Sequence, residues 1–147
     1  MELREANQSD FLAVSALMRE LNPTDSGGNI EARKKVFLGI VADPENIIFV
    51  GTVDGTVVTT CYLNIIPNIT WDAKPYAVIE NVVTAESHRS NGYGRQCIRH
   101  AIDRAFALGC FKVILMSSQR NDRIREFYSS VGLDQSKDGY VIYKNFV

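Results

Sequence analysis

The sequence has few cysteines, and their spacing argues against a metal site or a disulfide framework. Cys61, Cys97 and Cys110 lie far apart, form no CxxC motif and have no histidine at ligand spacing. We expect them to be reduced and mostly buried, because free cysteine behaves as a small hydrophobic residue. A catalytic Cys–His pair is the alternative interpretation, and no metal is expected.

Long apolar runs and an excess of one charge are also missing. No run of 18 or more apolar residues occurs, and the stretch MELREANQSD lacks the basic and apolar regions of a signal peptide. The net charge is -1, and lysine and arginine are scattered rather than gathered into a stripe. We therefore expect a cytoplasmic protein with neither a membrane nor a nucleic acid as partner.

What the sequence does have is enough apolar material for one core. It contains 147 residues, of which 46% are hydrophobic, a size and composition typical of a single domain. We interpret residues 1–147 as one domain without internal repeats.

The spacing of apolar residues predicts the helices. After a short opening strand, a first helix is expected with Ser9 as its N-cap and Asn22-Pro23 as its end, and a second helix ends at Asp43-Pro44. A third, strongly periodic helix runs through Ile98 and Phe106 to a C-terminal glycine, Gly109. A short fourth helix is expected between 121 and 132.

Runs rich in β-branched residues predict the strands 47–53, 56–66, 76–84 and 110–117. Asp54-Gly55, between the first two, is the signal for a hairpin with a type I′ turn, and a last hairpin is expected around Asp138-Gly139. The order of elements predicts an α/β (α+β) fold, with a mixed, mostly antiparallel central sheet and helices on both faces.

The stretch SHRSNGYGRQ, residues 87–96, joins a strand to a helix through a glycine-containing turn. Such a turn gathers backbone N–H groups and a helix N-terminus around one point, which favours phosphate binding. A P-loop is excluded because no lysine follows Gly94, and a GxGxxG dinucleotide motif is excluded because Cys97 occupies the third glycine position.

The remaining pattern, R-x-x-G-x-G, is formed by Arg89, Gly92 and Gly94. It resembles the acetyl-CoA-binding motif of the GNAT N-acetyltransferase superfamily. The resemblance extends over nearly the whole chain, from LREANQSD through the D-G hairpin and the IENVVT strand to the late FYSSVGL segment. It implies a single GNAT-like domain that uses acetyl-CoA as cosubstrate and no metal.

The resemblance also implies a set of cofactor-binding residues. The loop would bind the CoA diphosphate, a strand would hold the pantetheine arm through main-chain groups, and an asparagine would contact that arm. The residues at these positions are Val82, Val83 and Thr84 on the strand, Arg89, Ser90, Asn91, Gly92, Tyr93, Gly94 and Arg95 in the loop, and Asn121. The alternatives are a turn without a ligand and, for Asn121, an ordinary helix N-cap.

Two residues are candidates for catalysis. Glu80 lies in an apolar strand, where burying a carboxylate is costly, and this cost favours a functional reason for it: it could accept the proton of the attacking amine. On a regular strand Glu80 and Val82 would share one face, with Asn81 on the other. Tyr128 matches the tyrosine of the family's FY segment, which implies proton donation to the leaving thiolate or a contact with the CoA sulfur. A paired strand glutamate and a core tyrosine are the alternatives.

The expected activity is transfer of an acetyl group to a primary amine of a small molecule, by direct attack through a tetrahedral intermediate. AVIENVVT, GCFKVIL and FYSSVGL resemble the glucosamine-6-phosphate acetyltransferases of the superfamily. Those enzymes carry a Glu-Asp pair where this chain has Glu80-Asn81, so the sugar phosphate is only one possible acceptor. A non-catalytic acyl-CoA-binding module and a protein amine as acceptor remain alternatives, and a homodimer is possible.

Overall fold

The computed structural model describes residues 1–117 and 121–144. Its strands form one sheet, and its helices lie between them in the sequence. They are β1 (Glu2–Glu5), a 3₁₀ turn (Gln8–Asp10), α1 (Phe11–Leu21), α2 (Ile30–Val41), β2 (Asn46–Val53), β3 (Thr56–Ile66), β4 (Tyr76–Thr84), a second 3₁₀ turn (Glu86–His88), α3 (Tyr93–Ala107), β5 (Val113–Leu115) and α4 (Asp122–Ser129).

The five strands lie side by side in sequence order. β1 to β4 are antiparallel neighbours, and only β5 runs parallel to its neighbour β4. The parallel pair is possible because α3 crosses between the two strands. The predicted mixed, mostly antiparallel sheet is confirmed.

Alternating residues of β2 show how helices cover both faces of this sheet. Ile47 and Phe49 belong to a core cluster with residues of α3, whereas Ile48 and Val50 belong to a second cluster with residues of α1 and α2. The separation follows from the period of two in a strand, which sends neighbouring side chains to opposite faces. The helices therefore lie on both faces, as predicted.

The start of α1 differs from the prediction that Ser9 is its N-cap. Asn7 caps the 3₁₀ turn that leads into α1: its Oδ1 accepts a hydrogen bond from the Ser9 amide at 2.9 Å, and Asp10 accepts one from the Asn7 amide at 2.8 Å. This reciprocal pair is a capping box, in which the cap stands three residues before the acidic partner. Ser9 directly precedes Asp10, two residues too close to play that part. The N-cap position of α1 itself is Asp10, whose side chain makes no capping hydrogen bond.

Asp10 is also held by an ion pair with Arg4. Two hydrogen bonds of 2.7 and 2.9 Å join the guanidinium to the carboxylate. The hydrogen bond from Arg4 lowers the pKa of Asp10, against the opposing effect of its burial. The pair ties β1 to the start of α1.

Of the two hairpins predicted from Asp-Gly pairs, one forms. Asp54 and Gly55 have φ of 48° and 76°, as a type I′ turn requires, and they join β2 to β3. The prediction of a second hairpin around Asp138-Gly139 is wrong for the described residues. Neither residue has a positive φ, and 133–144 form no strand; residues 145–147 lie outside the described chain.

The three cysteines are free and buried, as predicted. The Sγ atoms of Cys61 on β3 and Cys97 on α3 are 3.4 Å apart. Within the described ranges, no helix has both the length and the apolar character needed to cross a membrane.

Candidate active site

The site is built around an irregularity in the middle of β4. Thr60 pairs with Val83 and Tyr62 pairs with Glu80, so two residues of β4 face Cys61 alone. Such an insertion is a β-bulge, and here Asn81 takes the left-handed conformation with φ of 53°. The strand therefore changes its alternation at this residue.

The bulge overturns the expectation that Glu80 and Val82 share a face. Glu80 lies opposite Tyr62, which packs against the cluster of α1 and α2, and directly opposed residues point to the same side of a sheet. Val82 packs against the other cluster, beneath α3. A regular strand would have kept the two together; the extra residue at Asn81 separates them.

The same region is where β4 loses its neighbour. β5 pairs with Ala77, Val78 and Ile79 only, while β4 continues to Thr84. From Glu80 onwards, this side of β4 has no paired strand in the described chain. A strand edge of this kind presents N–H and C=O groups that an extended ligand can bind. Val82, Val83 and Thr84 all lie on it.

The turn after β4 brings backbone N–H groups to the end of that edge. Gly92 is the N-cap of α3 with φ of 76°, and no side chain of the described residues caps the helix there. The first-turn amides of Tyr93, Gly94 and Arg95 have no carbonyl partner within the helix. Ser90 is also left-handed, with φ of 66°. The loop therefore has the geometry of an anion-binding turn.

Gly94 lets this turn approach β4 closely. A Cβ at this position would lie 3.0 Å from Oγ1 of Thr84 and 3.7 Å from the Phe127 ring. The Thr84 hydroxyl is itself fixed, since its Oγ1 lies 2.9 Å from Oγ1 of Thr59. A side chain at 94 would have to push these groups apart.

Arg89 and Asn91 support the turn from outside. The Nε of Arg89 donates to the carbonyl of Thr84 at 3.1 Å, and its guanidinium lies 3.9 Å from Glu20 of α1. Asn91 donates to the carbonyl of His88 at 3.1 Å. Arg89 and Arg95 are both exposed, so their charges border the turn without being buried in it.

Tyr128 lies on α4, within reach of the charge of Glu80 on β4. It packs against the core cluster of α3, makes an edge contact with Phe127 at a centroid distance of 5.1 Å, and its hydroxyl hydrogen bonds with Ser117. Burial raises the pKa of Tyr128, the hydrogen bond with Ser117 lowers it, and the charge of Glu80 raises it. The phenol is therefore neutral at pH 7 and close enough to Glu80 to feel its charge.

Asn121 is the N-cap of α4, with its Oδ1 accepting from the Ile124 amide at 3.0 Å. The structural alternative for this residue is confirmed, and its contact with a pantetheine arm stays a prediction. In the described chain, no group of three or more His, Cys, Asp and Glu residues is placed to hold a metal ion.

Sequence reasoning missed two features. Ser117, the partner of Tyr128, lies just after β5 and belongs to no motif. A cavity of about 370 Å³ lies between α1, α2 and the sheet and reaches Asn81. Its aromatic walls, Phe11 and Phe37, have the helical spacing of ordinary core residues, so no sequence signal distinguishes them.

Comparison with known proteins agrees with this geometry. Residues 14–133 match the model of the acetyltransferase (GNAT) family. A glucosamine 6-phosphate N-acetyltransferase of Trypanosoma brucei brucei is 27% identical over 132 residues, covering 90% of this chain and 88% of that protein.

Solved structures share the whole fold. A provisionally assigned acetyltransferase of Agrobacterium tumefaciens str. C58 superposes on this chain with a TM-score of 0.93 at 41% identity. The superposition covers 98% of this chain and 100% of that protein. An aminoglycoside N-acetyltransferase in complex with CoA shares the fold with a TM-score of 0.81 at 17% identity, covering 99% and 95% of the two chains. The chain belongs to the acetyltransferase (GNAT) family. It is an acetyltransferase.

Proposed function

We propose that this enzyme transfers the acetyl group of acetyl-CoA to a primary amine of a small molecule, by direct attack through a tetrahedral intermediate. The observation that carries the proposal is the unpaired edge of β4, which leads into the open amides at the start of α3. An extended arm with a diphosphate at one end has the shape and charge for this arrangement.

The residues present fit acetyl-CoA. Main-chain groups of Val82, Val83 and Thr84 would hold the pantetheine arm, and the turn from Arg89 to Arg95 would bind the diphosphate. Gly94 supports this assignment, because its missing side chain keeps the turn close to the strand. Bound there, acetyl-CoA supplies an activated acyl group with a thiolate as leaving group.

Glu80 is proposed to collect the proton of the attacking amine. A primary alkyl amine has a pKa of about 10.4, so most of it is protonated at pH 7 and must lose a proton before it can attack. Glu80 lies where β5 ends, on the strand that would hold the arm, and its charge reaches Tyr128. A carboxylate at this point can act directly or through water.

Tyr128 is proposed to return a proton to the departing thiolate. Its phenol is neutral at pH 7, as a proton donor must be. A backbone N–H beside the bulge, at Val82 or Val83, is proposed to stabilise the oxyanion. One such donor typically contributes about 10² to 10³ in rate.

The deciding experiment measures CoA thiol release from acetyl-CoA against a panel of amines: glucosamine 6-phosphate, polyamines, aminoglycosides, amino acids and peptides. Glu80→Gln should lower kcat/KM about 10²-fold at pH 7, and the deficit should shrink as rising pH supplies free amine. Glu126→Gln, an exposed change on α4, is the matched control.

Three other results would contradict parts of this proposal. Binding of CoA without transfer to any amine would favour an acyl-CoA-binding module. Transfer to peptides alone would indicate a protein amine. A Glu80→Gln enzyme with the pH profile of the wild type would remove Glu80 as the base.

A further inference from the structure

The cavity beside the bulge has walls that differ from those of a sugar or phosphate site. It lies on the α1 and α2 face of the sheet, and Phe11, Phe37 and Ile48 form much of its wall. The rings of Phe11 and Phe37 are tilted against each other with centroids 5.6 Å apart. A volume of about 370 Å³ falls in the range of small-molecule sites.

Charge is scarce in this cavity. Arg33 is the one charged side chain on its wall among the described residues, and one of its nitrogens donates to the carbonyl of Gly27 at 3.3 Å. No aspartate, glutamate or lysine of the described chain lines it. Burial, followed by the charge of Asp43, raises the pKa of Tyr62, so this phenol is neutral as well.

Most hydroxyl groups on the wall already donate to the protein. Thr60 donates to the carbonyl of Phe49 at 2.7 Å, and Tyr62 donates to Asn46 at 3.0 Å. Ser15 of α1 is the exception. Its side chain is 4% exposed, and its Oγ has no hydrogen-bond partner in the described chain. A buried hydroxyl without a partner costs about 1–3 kcal/mol, which a bound ligand can recover.

The position of the cavity connects it to the chemistry. It reaches Asn81, the residue after Glu80, and Tyr62 on its wall is the residue opposite Glu80. A molecule seated among the phenylalanines can therefore place one end beside the carboxylate. The other face of the same strand carries Val82 and the turn into α3.

We infer that the acceptor is an amine with an apolar body, aromatic or branched aliphatic, which lies in this cavity and accepts or donates one hydrogen bond at Ser15. The inference rests on the proposed function, since it names the acceptor of that reaction. Sugar phosphates and polyamines fit poorly. A phosphate would find one arginine on the wall, and the extra ammonium groups of a polyamine would find no carboxylate among the described residues.

The first test compares kcat/KM for phenethylamine, tyramine and isoamylamine with that for glucosamine 6-phosphate and spermidine. We expect the best apolar amine to exceed both polar ones by at least about tenfold, the effect of burying roughly two methylene groups. Preference for glucosamine 6-phosphate or spermidine would overturn the inference and leave the proposed function standing.

Two variants probe the cavity itself. Ser15→Ala should raise KM for the preferred amine about fivefold, the size of one neutral hydrogen bond, without lowering Tm, because the hydroxyl has no partner to lose. Ala32→Phe adds a ring at the cavity wall and should raise KM more than tenfold, while Lys35→Phe, on the same helix but away from the cavity, should not. Equal effects of the two phenylalanines would contradict an acceptor in the cavity.

Direct binding separates failure of the inference from failure of the proposed function. Titration calorimetry with the same amines, in the presence of CoA, needs no turnover. Binding of an apolar amine that Ala32→Phe abolishes would support the cavity assignment even if no acetyl group were transferred. Absence of such binding to the wild type would overturn it.

Discussion

Replacing Tyr128 by phenylalanine removes one oxygen and leaves the ring in place. The ring keeps its packing on the α3 cluster and its edge contact with Phe127. What disappears is the hydrogen bond with Ser117 and the proton that the phenol can give. The variant therefore separates the proposed catalytic role of the hydroxyl from the structural role of the ring.

The expected effects differ in size. Loss of one neutral hydrogen bond costs about 1 kcal/mol of stability, or roughly 3 °C in Tm for a domain of this size. Loss of the proton donor should lower kcat by about 10², which corresponds to about 2.7 kcal/mol in the barrier. The affinity for CoA should stay within about twofold of the wild type, since the ring still fills its place.

The pH dependence sharpens the test. The pKa of Tyr128 is raised above its ordinary value of 10.0, so the wild-type phenol stays protonated as pH increases through 9. We expect no decline of wild-type kcat from this group below about pH 10. The raised pKa of Tyr128 also contributes to the free energy of unfolding. This contribution is fully present below the unfolded pKa of the group and is lost as pH rises through its folded pKa.

The assay is stopped-flow or continuous thiol release at saturating acetyl-CoA, with Tyr76→Phe at the other end of the sheet as control. A Tyr128→Phe enzyme with wild-type kcat, normal CoA affinity and a slightly lower Tm would refute the proton-donor role. Tyr128 would then be a core aromatic residue only.

Three further experiments, with five substitutions in all, test the architecture by Tm and by CoA titration. Gly94→Ala should weaken CoA binding about tenfold, because the added Cβ forces the turn away from the strand. Gly92→Ala should instead lower the free energy of unfolding by about 1–2 kcal/mol, because of its positive φ. Equal losses of CoA affinity in the two variants would contradict the close-approach argument. Asp10→Asn should lower the free energy of unfolding by about 2 kcal/mol at pH 7. The depressed pKa of Asp10 stabilises the wild type above about pH 4, and this contribution is lost as pH falls through the folded pKa, so the variant should lose less stability than the wild type on acidification. Parallel stability curves of the two proteins in acid would contradict this. Asn7→Ala should cost about 1 kcal/mol and Ser9→Ala much less, and the reverse order would restore Ser9 as the cap.

Sequence patterns predicted the parts of the fold that local chemistry determines. Asp54-Gly55 gave the correct hairpin because both residues tolerate positive φ and extended strands follow on each side. Asp138-Gly139 has the same letters, but its turn is not formed, since the dipeptide permits a turn and does not impose one. The turn at Gly92 and Gly94 could be predicted from sequence, because positive φ and close approach of the backbone are features that glycine supplies at low cost.

The site was less predictable where tertiary packing decides. Nothing in IENVVT marks Asn81 as left-handed, and alternation alone put Glu80 on the wrong side relative to Val82. Ser15 and Phe37 look like parts of an ordinary amphipathic helix until the space between the helices is seen. These features depend on how elements meet, which periodicity within one element does not report.

The bulge at Asn81 also has a kinetic consequence. Under the proposed function, the two substrates would approach the reacting point from opposite sides of the sheet, because the strand presents Glu80 to one face and Val82 to the other. In that arrangement neither substrate would have to leave before the other enters, and the acetyl group would pass directly to the amine without forming an acyl-enzyme. We expect intersecting double-reciprocal plots with either substrate varied, and each product free to depart through its own opening.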